Sequence, residues 1–238
     1  MLQQWDWFDL SLYILNKFLI MISKGSLRLD KYYFVAQPIA NTSLLPAGRG
    51  KNIVVRMIDG QDGIVKQFPR SAAVIQTRFE QGAKCLAAFK EAQLIGFLWI
   101  LIGGYQEDTV RARYIPLPAG QVAWDFDVYV APEFRLSLTF ARLWDEANRT
   151  LTKTGIRWTC SRISAFNVGS LKIHARLGTV PLGSAVFFCV GRWQITVASI
   201  RPYIHLSTQP GSFPEFRLNT QGLDEIPPGS KNGKSIMQ

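Results

Sequence analysis

The stretch from Val122 to Gly178 constrains the fold more than any other part of the sequence, because it switches between strand and helix periodicity. Residues 122–130 alternate apolar and polar side chains with the period of two that is typical of a strand. Residues 140–153 carry apolar side chains at helical spacing. Residues 156–160 predict a second strand, and residues 167–178 predict a second helix. The order of strand, helix, strand and helix predicts a mixed α/β domain.

Two motifs in this stretch resemble the GNAT (Gcn5-related) N-acetyltransferase family. The run Val-Tyr-Val-Ala-Pro-Glu-Phe-Arg that ends at Arg135 resembles the family's V-x-P-E-[YF]-R segment. The segment from Asn167 to Gly178 resembles its N-x-x-[AS]-x-x-x-Y-x-x-x-G helix. The resemblance implies a GNAT-like, mostly antiparallel central sheet flanked by helices. It also implies direct transfer of an acyl group from acetyl-CoA, or another acyl-CoA, to an amine.

The resemblance further implies which residues contact the cofactor. The backbone of Val128, Tyr129 and Val130 would pair with the pantetheine arm as though it were another strand. The turn before the first helix would donate N–H groups to the pyrophosphate. That turn consists of Arg135, Leu136, Ser137, Leu138, Thr139 and Phe140. Asn167 would hydrogen-bond the pantetheine arm, with Ser170 nearby.

The pyrophosphate turn departs from the family pattern R/Q-x-x-G-x-G/A. Leu138 and Phe140 fill the two glycine positions. A glycine at each position would let a phosphate group approach the backbone closely. This departure favours one alternative, a GNAT-fold protein that binds an acyl-CoA or a partner without catalysis.

Three residues are candidates for catalysis. His174 occupies the position where the family often carries a tyrosine that protonates the departing thiolate. An imidazole, with an ordinary pKa of about 6.5, can do the same. Asp125 and Asp127 stand two residues apart on the first strand, so they share one face and are candidate bases. A structural histidine and structural carboxylates are the alternatives.

The acceptor is expected to be a small-molecule amine or a similar nucleophile, although no motif identifies it. Aromatic residues on or before the first strand are candidate contacts for it. They are Trp124, Phe126, Tyr105 and Tyr114. Ordinary packing or surface positions are the alternative for these side chains.

The 238 residues carry a formal net charge of +10. Such a charge is typical of proteins that bind nucleic acid, membrane surfaces or polyanionic small molecules. Nucleic acid is not expected as a partner, since the sequence has no basic run interleaved with aromatic residues. Coenzyme A carries several phosphate charges, so a basic surface suits it. General surface charge without a specific partner is the alternative.

The cysteines and histidines favour a cytoplasmic protein without a metal site. Cys85, Cys160 and Cys189 are odd in number and far apart, which predicts free thiols in a reducing compartment. His174 and His205 are too few and too separated to hold a metal ion.

Residues 1–24 form a dense apolar segment that Asp6, Asp9 and Lys17 interrupt. A spanning helix needs about 20 largely uncharged residues, and a secretory signal needs positive charge before its apolar core. We therefore expect neither. The segment predicts a helix that packs on the domain or on a second subunit of a homodimer. A helix that docks on a membrane surface or a partner, which would make the protein peripheral to the membrane, is the alternative.

The expected organisation has three parts. Residues 1–30 form an N-terminal apolar helix, and residues 31–205 form a GNAT-like acyltransferase domain. Residues 206–238 are expected to be an irregular tail, disordered from residue 224. Within the domain, residues 85–102 predict a hairpin in which Gly96 marks a bulge or a close backbone approach.

Overall fold

The computed structural model of the protein describes residues 7–223 and shows a mixed α/β chain. The helices are α1 (Trp7–Ser23), α2 (Ala72–Glu80), α3 (Thr139–Lys153) and α4 (Val168–Arg176), with short 3-10 helices at Gly63–Gln67 and Pro132–Phe134. The strands are β1 (Leu27–Pro38), β2 (Ile53–Ile58), β3 (Lys84–Lys90), β4 (Gln93–Leu101), β5 (Tyr105–Gln106), β6 (Arg113–Leu117), β7 (Val122–Val130), β8 (Trp158–Ser164), β9 (Val180–Val190), β10 (Trp193–Ala198), β11 (Ile204–Ser207) and β12 (Glu215–Asn219). The order predicted for Val122 to Gly178 is confirmed as β7, α3, β8 and α4.

The chain divides into two compact units. Unit 1 takes its residues from Met1–Pro38, Gln106–Pro118 and Cys160–Gln238, and unit 2 from Ile39–Tyr105 and Ala119–Thr159. The predicted fold class is confirmed, because mostly antiparallel strands are flanked by helices and an N-terminal helix precedes them. The disorder expected from residue 224 onward lies outside the described residues, as do residues 1–6.

Unit 1 contains the strand order β11-β10-β9-β1, in which every neighbouring pair is antiparallel. Its core includes Phe34, whose ring centroid lies 5.6 Å from that of Tyr114 and 4.9 Å from that of Phe216. Phe216 belongs to β12, which pairs in parallel with β6. The structure thus differs from the expectation that residues 206–238 are irregular, because β12 buries alternate side chains.

Helix α1 is attached to β1 by its polar side chains. Asp9 is buried and accepts hydrogen bonds from Lys31 Nζ and from the Tyr33 hydroxyl, each at 2.6 Å. Asn16 Oδ1 accepts a hydrogen bond from the Leu29 backbone N–H at 2.8 Å. Eight of the large apolar side chains of this helix are exposed, whereas Leu10, Leu12, Tyr13 and Leu19 are half-buried. Nothing in residues 7–223 forms a helix with the length and apolarity needed to cross a bilayer.

Unit 2 contains the strand order β7-β4-β3-β2, and α3 packs against β2, β3 and β4. The amphipathic α3 buries Leu143 and Trp144 among other residues. The predicted hairpin is confirmed as β3 and β4. At Gly96 a Cβ atom would lie 2.7 Å from the carbonyl oxygen of Tyr129, so the expected close approach is confirmed.

The cysteines are free thiols, as predicted. Cys85 and Cys160 are buried, and Cys189 is half-buried. Burial raises the pKa of both Cys85 and Cys189 above the ordinary value of a thiol. Both therefore stay protonated at neutral pH and are poor nucleophiles.

Candidate functional site

Strand β7 contains a bulge within the segment that resembles the first family motif. Phe126 and Tyr129 pair with β4 residues that are only two apart, so Asp127 and Val128 together oppose one residue. Asp127 has a left-handed φ of 47°, a conformation that aspartate tolerates better than most residues. The β7 residues before Asp127 are buried, whereas those from Asp127 to the end of the strand are half-buried. The bulge therefore marks the point at which β7 becomes accessible.

The Asp127 carboxylate forms ion pairs with two arginines of unit 2. It accepts hydrogen bonds from Arg78 Nη1 at 2.5 Å and from Arg70 Nε at 2.9 Å. Arg78 is buried, and its guanidinium also lies over the rings of Trp99 and Phe126. The carboxylate fixes the bulge by holding both guanidinium groups against β7. A catalytic role for Asp127 stays a prediction.

The turn predicted to bind pyrophosphate leads directly into α3. Arg135, Leu136 and Ser137 are exposed, Leu138 and Phe140 are half-buried, and Thr139 is buried. Leu138 occupies the N-cap of α3, and its side chain has no acceptor for the first backbone N–H groups. The first turn also has no acidic residue. Ser137 Oγ accepts a hydrogen bond from the Thr139 N–H at 3.2 Å, and with no acidic side chain in that turn the helix end keeps the partial positive charge that favours an anion.

Two clefts of unit 2 lie next to the start of α3. The larger, of about 350 Å³, is lined by Ser43, Leu45, Pro46, Ala47, Gly48, Arg49, Lys51 and Arg142. The smaller, of about 210 Å³, is lined by Asn52, Ile53, Lys90, Phe134, Ser137 and Leu138. Neither lining includes an acidic side chain among the described residues. The larger cleft has three basic side chains and the smaller has Lys90, so a negatively charged ligand suits the larger cleft best, although the Asp145 carboxylate accepts a hydrogen bond from Ser43 in its lining.

Arg142 is the best-placed cation of the larger cleft. Its side chain lies against Gly50, where a Cβ atom would come within 2.9 Å of Arg142 Cδ. The glycine thus leaves room for the arginine. Arg142 Nε is buried and has no hydrogen-bond partner among the described residues. A buried guanidinium N–H of this kind is a donor that an anionic ligand can satisfy.

The unit 1 residues of the second motif are organised by helix capping. Asn167 is the N-cap of α4, and its Oδ1 accepts a hydrogen bond from the Ser170 N–H at 3.0 Å. The exposed Asn167 side chain keeps its amide N–H groups as donors. The sequence predicted contacts with pantetheine for both residues, and these contacts stay predictions.

His174 is buried, with Nδ1 lying 3.1 Å from Gln37 Oε1. Because that oxygen only accepts, the pair favours the tautomer in which Nδ1 carries the proton and Nε2 carries a lone pair. Burial lowers the pKa of His174 from 6.5 to about 4. The imidazole is therefore neutral at pH 7. No motif in the sequence indicated Gln37 as the partner of His174.

The aromatic residues predicted to contact the acceptor lie in the cores of the units. In unit 2, Tyr105 stacks against Trp124 and Phe126, with centroid separations of 6.0 and 4.2 Å. In unit 1, Tyr114 packs between Phe34 and Phe216. Each of these candidates exposes at most 7% of its surface. Asp125 is equally buried, at 1%. Their positions support packing, so we leave them out of the proposed acceptor contacts.

The predicted site residues therefore form two groups. The accessible end of β7, the turn and the start of α3 belong to unit 2, whereas Asn167, Ser170 and His174 belong to unit 1. The basic side chains beside the turn, Lys90 and Arg142 among them, belong to neither motif and were not predicted from the sequence. The sequence feature that could have indicated the larger cleft is Gly50 next to Lys51 in a glycine-containing loop.

No family model and no curated protein matches the sequence. Similar solved structures include a conserved protein of unknown function from Staphylococcus epidermidis, with 11% identity, a TM-score of 0.49 and coverage of 73% of this chain and 66% of that one. A tandem GNAT protein from the clavulanic acid biosynthesis pathway has 15% identity, a TM-score of 0.47 and coverage of 67% and 53%.

An aminoglycoside acetyltransferase from an uncultured soil metagenomic sample is also similar, with 11% identity, a TM-score of 0.38 and coverage of 54% of this chain and 88% of that one. The chain spans less than two thirds of the length of the Staphylococcus protein and of the tandem GNAT protein. GNAT acetyltransferases are thus among the similar structures. Each TM-score lies below 0.5, so the proposal below rests on the residues of this chain.

Proposed function

We propose that the protein is an acyl-CoA-dependent N-acyltransferase that acts on a small-molecule amine by direct transfer, with acetyl-CoA as the expected donor. One observation carries the proposal. Strand β7 bulges and becomes accessible at Asp127, at the start of the segment whose residues resemble the family's donor-binding motif. Beyond the bulge Tyr129 and Val130 remain paired with β4, so the backbone of Val128 to Val130 would take an extended ligand on the opposite edge of β7.

The charges beside α3 fit the phosphate groups of acetyl-CoA. The start of the helix offers backbone N–H groups, and Ser137 lines the adjacent cleft together with Lys90. Lys51 and Arg142 line the neighbouring cleft. The buried Arg142 Nε gives this region one donor whose hydrogen bond a phosphate oxygen would complete. We infer that these residues hold the phosphate-bearing end of the donor.

Acetyl-CoA, when bound, supplies a thioester: the acceptor nitrogen bonds to the acyl carbon, the C–S bond breaks, and the sulfur leaves as the thiol. In the proposal, the imidazole of His174 takes the proton that the amine loses and returns it to the sulfur. Its lowered pKa makes the protonated ring a strong acid, which suits the second transfer. Gln37 acts as the positioning residue, since it fixes the tautomer through Nδ1.

The donor site is tested by comparing acetyl-CoA with acetyl-pantetheine, which lacks the phosphates. We expect acetyl-CoA to raise the melting temperature of the protein more than acetyl-pantetheine does. Arg142→Gln should reduce this difference, whereas Arg149→Gln should not. Arg149 lies on the same helix, but it is exposed and pairs with Glu146. An equal response of both variants would contradict the placement of the phosphates beside α3.

Catalysis is tested by thiol release with a panel of small amines. We expect His174→Gln to lower kcat by about a hundredfold or more with little change in the KM for acetyl-CoA. The matched control is His205→Gln, on the other histidine of the chain. If His174→Gln keeps the wild-type kcat, His174 has no part in proton transfer.

A non-catalytic protein that binds an acyl-CoA is the second candidate, and the turn itself favours it. Leu138 and Phe140 place bulky side chains at both positions where the family pattern has small residues. Acetyl-CoA binding without thiol release by any amine would support this candidate. Absence of binding as well as release would exclude both functions.

A further inference from the structure

Helix α1 turns its apolar side away from unit 1. The stripe that contacts β1 contains the buried polar residues Asp9 and Asn16. The exposed side carries large apolar side chains whose exposed fractions range from 38% to 84%. They are Trp7, Phe8, Ile14, Leu15, Phe18, Ile20, Met21 and Ile22. Apart from Phe8, whose ring centroid lies 4.7 Å from Lys31 Nζ, these side chains leave the attachment of the helix to its polar contacts.

The same side of the sheet continues the apolar surface beyond α1. Residues that lie directly opposite one another in antiparallel strands point to the same face. Lys31, which pairs with Asp9 of α1, lies opposite Val186 of β9. Val186 lies opposite Val197 of β10, and Val197 lies opposite Ile204 of β11. Helix α1 and the side chains of Val197 and Ile204 therefore lie on one face of this sheet.

Strands β10 and β11, like α1, bury polar side chains and expose apolar ones, which is the inverse of the usual arrangement. Gln194, Thr196 and Ser207 are buried, whereas the apolar residues between them are exposed. The inversion is fixed by hydrogen bonds, because Gln194 Oε1 accepts from the Arg111 N–H at 2.8 Å and its Nε2 donates to Arg111 O at 2.7 Å. A one-residue slip that turned the apolar side chains inward would break these bonds.

We call the exposed apolar side chains of α1, β10 and β11 the outer face. Its sheet residues are Trp193, Ile195, Val197, Ile204 and Leu206. The largest exposed apolar patch of a typical monomer covers roughly 300–600 Å². Thirteen large side chains, two of them tryptophans and each more than a third exposed, are too many to be the single, scattered apolar residues of an ordinary surface. A surface of this size in a monomer marks an interaction site.

The charge around the outer face identifies its partner. The described residues of unit 1 contain twelve Lys and Arg and five Asp and Glu, a surplus of seven positive charges. Asp9 is buried against Lys31, so α1 exposes no acidic side chain among residues 7–23. Lys24 and Arg192 occupy two turns that a hydrogen bond from Gly191 N–H to Ser26 O joins at one end of the face. A second copy of the chain would bring like charges together.

We propose that the outer face binds the surface of a membrane that contains anionic lipids. The apolar side chains enter the boundary between headgroups and acyl chains, and Trp7 and Trp193 suit that boundary because an indole is apolar with one polar N–H. Lys17, Lys24 and Arg192 contact the anionic headgroups. This role is independent of the acyl-transfer function, which uses other residues.

The test is co-sedimentation of the full chain with vesicles. One set contains phosphatidylcholine alone, and the other contains equal parts of phosphatidylcholine and phosphatidylglycerol. We expect tighter binding to the anionic set, with affinity falling as salt is added. The paired change Lys24→Glu and Arg192→Glu should weaken this binding by roughly thirtyfold or more, since each basic side chain contributes about fivefold.

A second variant tests the apolar part, and a matched pair controls for it. Trp193→Thr with Val197→Thr should weaken vesicle binding by about tenfold or more. Val54→Thr with Met57→Thr changes exposed apolar residues of β2 in unit 2 and should leave binding unchanged. Circular dichroism checks that each variant is folded.

Three results would overturn the proposal. The first is failure of the wild-type chain to bind anionic vesicles, and the second is equal, salt-insensitive binding to both vesicle sets. The third is self-association in analytical ultracentrifugation that Trp193→Thr with Val197→Thr abolishes, because the outer face would then be a contact between two copies.

Discussion

The buried histidine makes the stability of the protein depend on pH in a way that can be calculated. Burial lowers the pKa of His174 from 6.5 to about 4. The unfolded chain therefore takes up a proton at a higher pH than the folded chain does. As the pH falls below 6.5 the unfolded state gains protons first, so stability falls, and the loss levels off below about pH 4.

The size of this loss follows from the two pKa values. At pH 7.5 both states are almost unprotonated at His174, and the residue contributes close to nothing. At pH 5 the unfolded state is largely protonated and the folded state is not, which costs about 2 kcal/mol. The full loss at lower pH is about 3 kcal/mol.

The assay is urea unfolding of the wild type, His174→Gln and His205→Gln at pH 7.5 and pH 5. Other groups also titrate in this range, so the difference between wild type and variant is the quantity to follow. We expect His174→Gln to lose about 2 kcal/mol less than the wild type between the two pH values, and His205→Gln to follow the wild type. If His174→Gln and the wild type show the same pH dependence, the ring is not held neutral by burial.

Two further predictions concern the bulge in β7 and are measured by urea unfolding at neutral pH. Asp127→Asn should lower the free energy of unfolding by about 3 kcal/mol, because the buried Arg78 loses this charged partner, and Asp127→Ala should cost about 1 kcal/mol more at the left-handed φ. An unchanged free energy in Asp127→Asn would show that the ion pairs do not hold the bulge. Gly96→Ala should cost about 1–3 kcal/mol, since its Cβ meets the Tyr129 carbonyl oxygen at 2.7 Å, whereas Gly63→Ala, with open space around it, should be close to neutral. Equal costs for the two alanines would contradict the close approach.

Periodicity was sufficient to predict the elements from β7 to α4. In α3 the apolar positions that include Leu143 and Trp144 form one buried stripe, so local spacing and tertiary burial agree. The bulge was not predictable in the same way. A left-handed residue is usually signalled by glycine, and here Asp127 takes that conformation because two arginines distant in sequence hold its carboxylate.

The sequence also could not show which side of an amphipathic segment faces inward. Alternation in β7 suggested one apolar and one polar face, but Trp124 and Asp125 are both buried. In β10 the alternation is clear and the polar side is the buried one. The hydrophobic pattern alone would predict that the apolar side of this strand is buried. The polar side is buried instead, because Gln194 bonds a segment about eighty residues earlier in the chain.

The polar attachment of α1 has a consequence for shortened versions of the protein. Deleting a helix that packs through apolar side chains exposes an apolar surface that promotes aggregation. The contacts of α1 include a lysine ammonium group, a tyrosine hydroxyl and a backbone N–H, which water can solvate, together with a ring contact between Tyr13 and Phe166. A polypeptide that starts at Gly25 should therefore stay folded and soluble without α1.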